Sequence, residues 1–171
     1  MSASKIEIRT SPIQGNGVFA TAFIPKGETV HIMNGREVGW LKCLFLILTK
    51  QIHIDMPFQI SSKSYILLNN LSISINHSCE PCCAVSGKNQ IVARRDIAAG
   101  EEISYDYSTT VLPSIFTKSW LMECRCGQKN CRKEVRNAAF MPDEQLKNYL
   151  QNNELPDFIR DYCLKKYPKA K

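Results

Sequence analysis

Three cysteines stand close together near the end of the chain, in a spacing that suits a metal ion. Cys124, Cys126 and Cys131 follow the pattern C-x-C-G-x-x-x-C, and Gly127 allows the backbone to curl around a bound ion. A structural zinc site takes four ligands, usually thiolates or imidazoles. The cluster therefore predicts a metal-binding loop that needs a fourth ligand. Three inert buried thiols are the weaker interpretation, because the spacing is tight.

The spacing alone does not identify the fourth ligand. The chain has eight cysteines and three histidines. In a reducing compartment, clustered cysteines indicate a metal site or catalysis before disulfides. The candidates outside the cluster are Cys79, Cys82, Cys83, Cys163 and the three histidines.

Two further groups of polar residues precede the cysteines. The first is Asn76-His77-Ser78-Cys79-Glu80-Pro81, at the end of a predicted strand. By itself this is typical of a turn with a capping Asn and a hydrogen-bonded His. The second is G-E-E-I-S-Y-D-Y, from Gly100 to Tyr107, some twenty residues later. Their succession gives each group more weight than it has alone.

The order of these motifs resembles that of the SET-domain family of protein-lysine methyltransferases with a post-SET zinc loop. Gly15-Asn16-Gly17 comes first, followed by N-H-S-C-x-P, G-E-E-I-x-Y-D-Y and the cysteine cluster. The resemblance covers roughly residues 5–135. It implies S-adenosylmethionine as cofactor, a structural Zn²⁺, and a protein substrate with its lysine in a peptide tail, possible substrates including histones.

The resemblance also implies roles for single residues. Tyr107 matches the tyrosine at the reacting centre, where it also meets the cofactor, and Tyr105 shares its catalytic surroundings. Segments 76–81 and 100–107 should lie against each other in a knot-like arrangement. The implied cofactor-binding residues are Gly15, Asn16, Gly17, Asn76, His77 and Tyr107. The implied zinc ligands are Cys79, Cys124, Cys126 and Cys131.

Several positions bear on activity within this resemblance. A tyrosine at position 105 leaves little room for a methylated amine, which favours mono- or dimethylation over trimethylation. Met33 stands near the place of the family's second tyrosine, and Ile73-Ser74 replaces an Arg-Phe pair. Pro81-Cys82 replaces a Pro-Asn pair. An inactive SET-fold module that keeps both the cofactor and zinc sites is therefore the alternative.

The pattern of short segments predicts an α+β fold, mainly β, with short helices at the end of the chain. The expected units are a SET domain at 1–112, a post-SET zinc-binding segment at 113–135 and a helical extension at 136–171. Predicted strands are 5–9, 18–20, 29–33, 71–75, 90–95 and 103–107. Predicted helices are 37–52, one that begins at Pro142 and ends at Asn152-Asn153, and one that begins near Pro156.

Charge and hydropathy set further expectations. The net charge is +6, but the 22 Lys and Arg residues are scattered. Scattered charge is typical of a solvated face, so direct nucleic-acid binding is not expected. The basic charge leaves a zinc-stabilised nucleic-acid or protein adaptor as the third hypothesis. The longest apolar run, Cys43 to Leu48, is too short for a membrane span and suggests a core helix. The N-terminus does not resemble a signal peptide, so an intracellular protein, cytoplasmic or nuclear, is expected. The oligomeric state is not indicated.

Overall fold

The computed structural model describes residues 4–54, 56–114, 117–118 and 120–168. The expected α+β fold, mainly β, is confirmed, with short strands and short helices. The strands are β1 (Ile6–Thr10), β2 (Asn16–Ala20), β3 (Thr29–Ile32), β4 (Gly35–Gly39), β5 (Pro57–Gln59), β6 (Ser64–Leu68), β7 (Asn76–His77), β8 (Cys83–Ser86), β9 (Gln90–Ala93), β10 (Glu102–Tyr105), β11 (Met122–Glu123) and β12 (Glu134–Val135). The α-helices are α1 (Trp40–Leu48), α2 (Asn70–Ile73), α3 (Asp143–Gln151) and α4 (Asp157–Lys166). Single 3-10 turns cover Tyr107–Thr110 and Ala138–Phe140.

Small sheets place the polar motifs next to one another. One sheet has the order β1-β2-β10-β7, and β7 runs parallel to β10 with Asn76 opposite Ser104 and His77 opposite Tyr105. A second has the order β3-β9-β8, a third β4-β6-β5, and β11 pairs with β12. The expected side-by-side packing of segments 76–81 and 100–107 is present here.

The main core lies between these sheets. Its fully buried members are mostly branched aliphatic side chains, which pack well against pleated surfaces. They include Val18, Ile24, Ile66, Ile75, Ile91, Ile97 and Ile103. A second core joins α3 and α4 to Ala84 of β8. The two terminal helices therefore pack on the β3-β9-β8 sheet. In the part of the chain that is described, no helix is long and apolar enough to cross a bilayer.

Several predicted elements are wrong in type or extent. The segment predicted as a strand at 71–75 contains α2 instead, because the side chain of Asn69 accepts a hydrogen bond from the Ser72 N–H and starts a helical turn. The helix predicted at 37–52 covers only Trp40–Leu48, since β4 pairs with β6 up to Gly39. The strand predicted at 103–107 ends at Tyr105.

The helix α1 also differs from the core helix expected of its apolar run. Only Cys43 and Leu46 are buried, whereas Leu41, Phe45 and Leu48 are exposed. The helix therefore lies on the surface with a single buried stripe. The last three residues of the predicted extension, 169–171, and the first three of the chain lie outside the described residues.

Candidate functional site

Two tyrosines meet at the end of β10. The rings of Tyr105 and Tyr107 lie 4.8 Å apart between centroids, although Tyr107 belongs to the following 3-10 turn. The hydroxyl of Tyr107 donates a hydrogen bond of 2.8 Å to the carbonyl of Ile75, which precedes β7. Tyr105 is buried, and its ring also meets the edge of Phe58. The parallel pairing of β7 with β10 brings the tyrosines and Asn76 to one end of the sheet.

Asn76 holds the loop before β2. Its side-chain amide donates to the carbonyls of Gln14 at 3.3 Å and Asn16 at 3.0 Å. It also donates to the carboxylate of Glu102 at 2.7 Å, and the hydroxyl of Ser11 donates to the same carboxylate at 2.8 Å. Three distant segments of the chain thus converge on one amide and one carboxylate.

Gly15, in this loop, and Gly17, in β2, have different surroundings. Gly15 has a φ of +51°, and a Cβ there would meet no atom within 4 Å, so space is open beside the backbone. At Gly17 a Cβ would lie 2.3 Å from Oε1 of Glu102, so the carboxylate occupies the space that a side chain there would take. Open space beside exposed backbone is what a ligand needs for close approach.

His77 faces away from this loop. The N–H of Tyr107 donates to Nδ1 at 3.2 Å, and Nε2 lies 3.4 Å from the Sγ of Cys79. Burial lowers the pKa of His77 to about 4, and the Arg132 guanidinium lowers it too, although the carboxylate of Asp106 opposes both. Both ring nitrogens are engaged within the protein, so contact with a cofactor would have to come from the His77 main chain.

Four thiols lie together beside the tyrosines. The Sγ atoms of Cys79, Cys124, Cys126 and Cys131 all lie within 4.8 Å of one another, and those of Cys79 and Cys124 are 3.7 Å apart. The N–H of Arg132 points at the Sγ of Cys79 at 3.4 Å. Four thiols in a closed group fit a tetrahedral structural ion, so this cluster can hold a metal.

The other candidates for the fourth ligand have different surroundings. Cys82 and Cys83 are buried in the main core, where the Ser104 N–H donates to the Cys82 Sγ at 3.4 Å. Cys163 is fully buried in the core of the terminal helices. Among the candidates that the sequence left open, Cys79 is therefore the one placed to complete the group.

An ion pair that the sequence analysis did not single out ties the metal loop to the tyrosines. Arg132, directly after Cys131, donates to both carboxylate oxygens of Asp106, at 2.7 and 2.6 Å. The Asp106 side chain is fully buried. Asp106 lies between two site tyrosines, and Arg132 directly follows a predicted ligand, so their positions in the motifs were the available signal. Glu102, inside the G-E-E motif, was missed in the same way.

The tyrosines line a cavity of about 710 Å³. One wall is α1, and the segment that leads into the cysteine loop contributes another. Trp120 and Met122 of that segment also pack with Tyr107 against the cysteines. The remaining lining residues come from β5, β6 and the turn around α2; they include Pro57, Phe58, Tyr65, Leu68, Ser72, Ile73 and Ile75. The size falls within the range of ordinary ligand pockets.

Met33 is not part of this cavity. This residue, expected near the place of the family's second tyrosine, has a side chain that is fully buried in the main core and does not line the cavity. Ile73 does line the cavity, at its edge, and is 41% exposed. Of the two positions behind the inactive-module alternative, Met33 therefore lies outside the cavity and Ile73 lines it.

Comparisons with known proteins concern the family and the fold. The family model described as "SET domain" matches residues 15–108. The human histone-lysine N-methyltransferase 2B is 41% identical over 145 residues, covering 77% of this chain and 5% of the relative. The zebrafish (Danio rerio) histone-lysine N-methyltransferase SUV39H1-A is 30% identical over 110 residues, 47% of this chain and 26% of the relative. The chain thus spans a small part of each.

A solved structure supports the fold. The crystal structure of the methyltransferase domain of human histone-lysine N-methyltransferase SETMAR aligns with a TM-score of 0.62 at 22% identity. The alignment covers 77% of this chain and 58% of that one. At this identity the likeness concerns the fold alone.

Proposed function

Because the chain belongs to the SET-domain family, we propose that it is a protein-lysine N-methyltransferase that uses S-adenosylmethionine. The observation that carries the proposal is the convergence at one end of the β1-β2-β10-β7 sheet. There the loop held by Asn76, the tyrosine pair and the cysteine cluster lie around neighbouring surfaces. The curated relatives named above are called histone-lysine methyltransferases, which supports a protein lysine as acceptor.

The proposed cofactor surface is the exposed backbone around Gly15 and Asn16, beside Asn76. The open space next to Gly15 supports this assignment. The main chain of His77 completes the surface, since its ring is engaged elsewhere. When bound, S-adenosylmethionine supplies a methyl group that its sulfonium already activates for transfer.

The cavity at the tyrosines would hold the acceptor lysine. A lysine amine has a solution pKa of about 10.4, so most of it is protonated and unreactive at neutral pH. Transfer from water to an apolar cavity favours the neutral amine. Holding that amine in line with the reacting bond can contribute roughly 7–11 kcal/mol in the best model systems. Positioning and dehydration are therefore the main tasks of these walls.

Tyr105 and Tyr107 orient groups in this scheme. Burial raises the pKa of Tyr105 well above its usual value of about 10, and the Tyr107 and Asp106 side chains raise it further. Tyr105 therefore keeps its proton at neutral pH and cannot act as a general base. The Tyr107 hydroxyl, fixed by the Ile75 carbonyl, borders the same cavity. Their combined bulk supports mono- or dimethylation as the preferred outcome.

We assign Zn²⁺ to the four-cysteine group, as a structural ion. Thiolates bind Zn²⁺ at about 2.3 Å, and a closed set of four leaves no open position for chemistry. Its proposed task is to hold the segment with Trp120 and Met122 against Tyr107, so that the cavity keeps its second wall.

We also propose the domain boundaries expected from the sequence. The family match at 15–108 supports a SET domain at 1–112. The cysteines at 124–131 support a post-SET segment at 113–135. The helices α3 and α4 support a helical extension at 136–171, which packs on β8 and is not an independent unit.

The proposal is tested by incubating the protein with radiolabelled-methyl S-adenosylmethionine, core histones and a whole-cell lysate. Wild type should label protein, and Y107F should lose most of this activity. The matched control is Y162F, a tyrosine in α4 that packs with the terminal helices and lies away from the cavity. Labelling that is equal in wild type and Y107F would overturn the proposed site.

A further inference from the structure

The walls of the cavity are poorly suited to a basic peptide. Among the described residues that line it, Lys63 is the one with a charge, and none carries a carboxylate. The net charge of the whole chain is +6. An arginine or a second lysine that entered beside the acceptor would lose hydration without gaining a partner in the described lining, where Lys63 would repel it.

The carboxylates next in sequence to the lining residues are already engaged. Asp106, between the lining residues Tyr105 and Tyr107, is fully buried and accepts a hydrogen bond from Arg132 at 2.6 Å. Glu123, directly after Met122, pairs with Arg125 at 2.7 Å. Both carboxylates thus face cations of the protein itself. Asp55 lies outside the described residues and is addressed in the experiment.

The rim of the cavity continues its apolar lining onto the surface. Leu48 at the end of α1 lines the cavity and is 72% exposed, and Ile54 lines it and is 53% exposed. Trp40, at the other end of α1, lines it as well. Contiguous exposed apolar surface of this kind usually marks a binding site. Here it is continuous with the tyrosines where the acceptor amine is placed.

We propose that the acceptor lysine lies in a segment with large apolar neighbours, and that a basic histone-like tail is a poor substrate. The inference rests on the proposed function and narrows its substrate class. An extended peptide rises about 3.3 Å per residue, so residues within two or three positions of the lysine reach the rim while the amine reaches the tyrosines. Leucine or phenylalanine at those positions buries apolar surface of both partners.

The experiment compares peptides that share one central lysine. Their flanks within three residues are leucine and phenylalanine, serine and glycine, or arginine and lysine. The apolar peptide should show a kcat/KM about tenfold or more above the basic one, the factor expected from burying one large apolar side chain. Equal values, or a higher value for the basic peptide, would overturn the inference.

Two variants of α1 form a matched pair. L48E places a carboxylate in the lining, so it should reduce kcat/KM for the apolar peptide about tenfold and raise it for the basic peptide. F45E places the same charge one turn earlier on the same helix, at an exposed residue that does not line the cavity, and should change neither value. D55N should leave the order of the kcat/KM values for the peptides as in the wild type. If the wild type prefers the basic peptide and D55N abolishes that preference, the proposed peptide site is contradicted. It is also contradicted if the apolar rim instead joins two copies of the chain in a dimer that both L48E and F45E dissociate.

A binding measurement separates the two proposals. The same peptides with norleucine in place of lysine cannot accept a methyl group, and their binding is followed by fluorescence anisotropy. Preferential binding of the apolar peptide without any methyl transfer would leave the substrate preference supported and overturn the enzyme. Methyl transfer with no preference for apolar flanks, in rate or in binding, would support the enzyme and overturn the substrate preference.

Discussion

Arg132 of the cysteine loop forms a bidentate ion pair with Asp106, the residue between the two tyrosines of the cavity. The two N–H···O distances are 2.7 and 2.6 Å, and the carboxylate has no exposed side-chain surface. Arg132 also donates to Gln145 of α3 at 3.0 Å and to the hydroxyl of Ser108 at 3.2 Å. One guanidinium thus joins the metal loop, the tyrosine turn and the terminal helices.

Removing this guanidinium should destabilise the fold strongly. R132M leaves the buried carboxylate of Asp106 without its partner, and such losses cost about 3–5 kcal/mol of unfolding free energy. Denaturant unfolding monitored by circular dichroism measures the change. The double variant R132M/D106N should recover part of it, because it removes the unpaired charge.

The control for this prediction is R136M, directly after β12. Arg136 pairs with Glu134 at an exposed position, where such pairs contribute less than about 1 kcal/mol. If R132M is no more destabilising than R136M, then the Asp106 pair does not join these elements as described.

Loss of the metal should lower stability and activity together. We expect one zinc per chain by elemental analysis, and C79S and C124S should each abolish stoichiometric binding, because a four-thiolate site loses a ligand. Treatment with a strong chelator should lower the melting temperature of the wild type. C163A provides the control, since Cys163 is buried among the terminal helices and should leave the metal content unchanged. Full zinc content in C124S would refute the assigned site.

Product distribution should respond to Tyr105. Y105F removes one hydroxyl from the wall of the cavity and leaves the ring in contact with Phe58 and Tyr107. The variant should therefore form more di- and trimethyl-lysine than the wild type, as quantified by mass spectrometry of the product peptide. An unchanged distribution would mean that the Tyr105 hydroxyl does not limit the space for methylated amines.

The pH dependence of the rate should come from the acceptor amine and not from Tyr105. Burial raises the pKa of Tyr105 well above 10, so it stays protonated throughout the assay range. The rate should rise with pH as the fraction of neutral lysine increases, and Y105F should leave the shape of the profile between pH 7 and about 9.5 unaltered. If the wild-type pH–rate profile shows a titration in that range that is absent from Y105F, then Tyr105 does titrate there.

Local pattern predicted much of the fold, and its failures have a physical reason. Leu71, Ile73 and Ile75 alternate with serines, as in a strand, yet the Asn69 cap starts a helix, and the Ser72 hydroxyl is buried against His31 at 2.9 Å. The residue that could have predicted the helix was Asn69, a favourable N-cap, but the alternating pattern favoured a strand. Similarly, the strand β4 depends on pairing with β6 some thirty residues away, which a local pattern does not reveal.

In the candidate site too, local motifs were predicted and long-range contacts were missed. The motif order gave the cysteines, Asn76 and the tyrosines, because each motif is continuous in sequence. The contacts of Asn76 with Glu102, and of Asp106 with Arg132, join residues 26 positions apart in both cases. The burial of Met33 in the core was not predictable either, because its position just after β3 does not determine which way its side chain faces.

The most direct test of the central claim is the mass of the product. The protein is incubated with S-adenosylmethionine that carries a deuterated methyl group and a lysine peptide with leucine flanks, and the product is fragmented by tandem mass spectrometry. We predict a deuterated methyl group on the lysine Nζ with wild type and little or none with Y107F. A peptide and a lysate that both remain unlabelled with zinc-loaded wild-type protein, or a label on a residue other than lysine, would contradict the account.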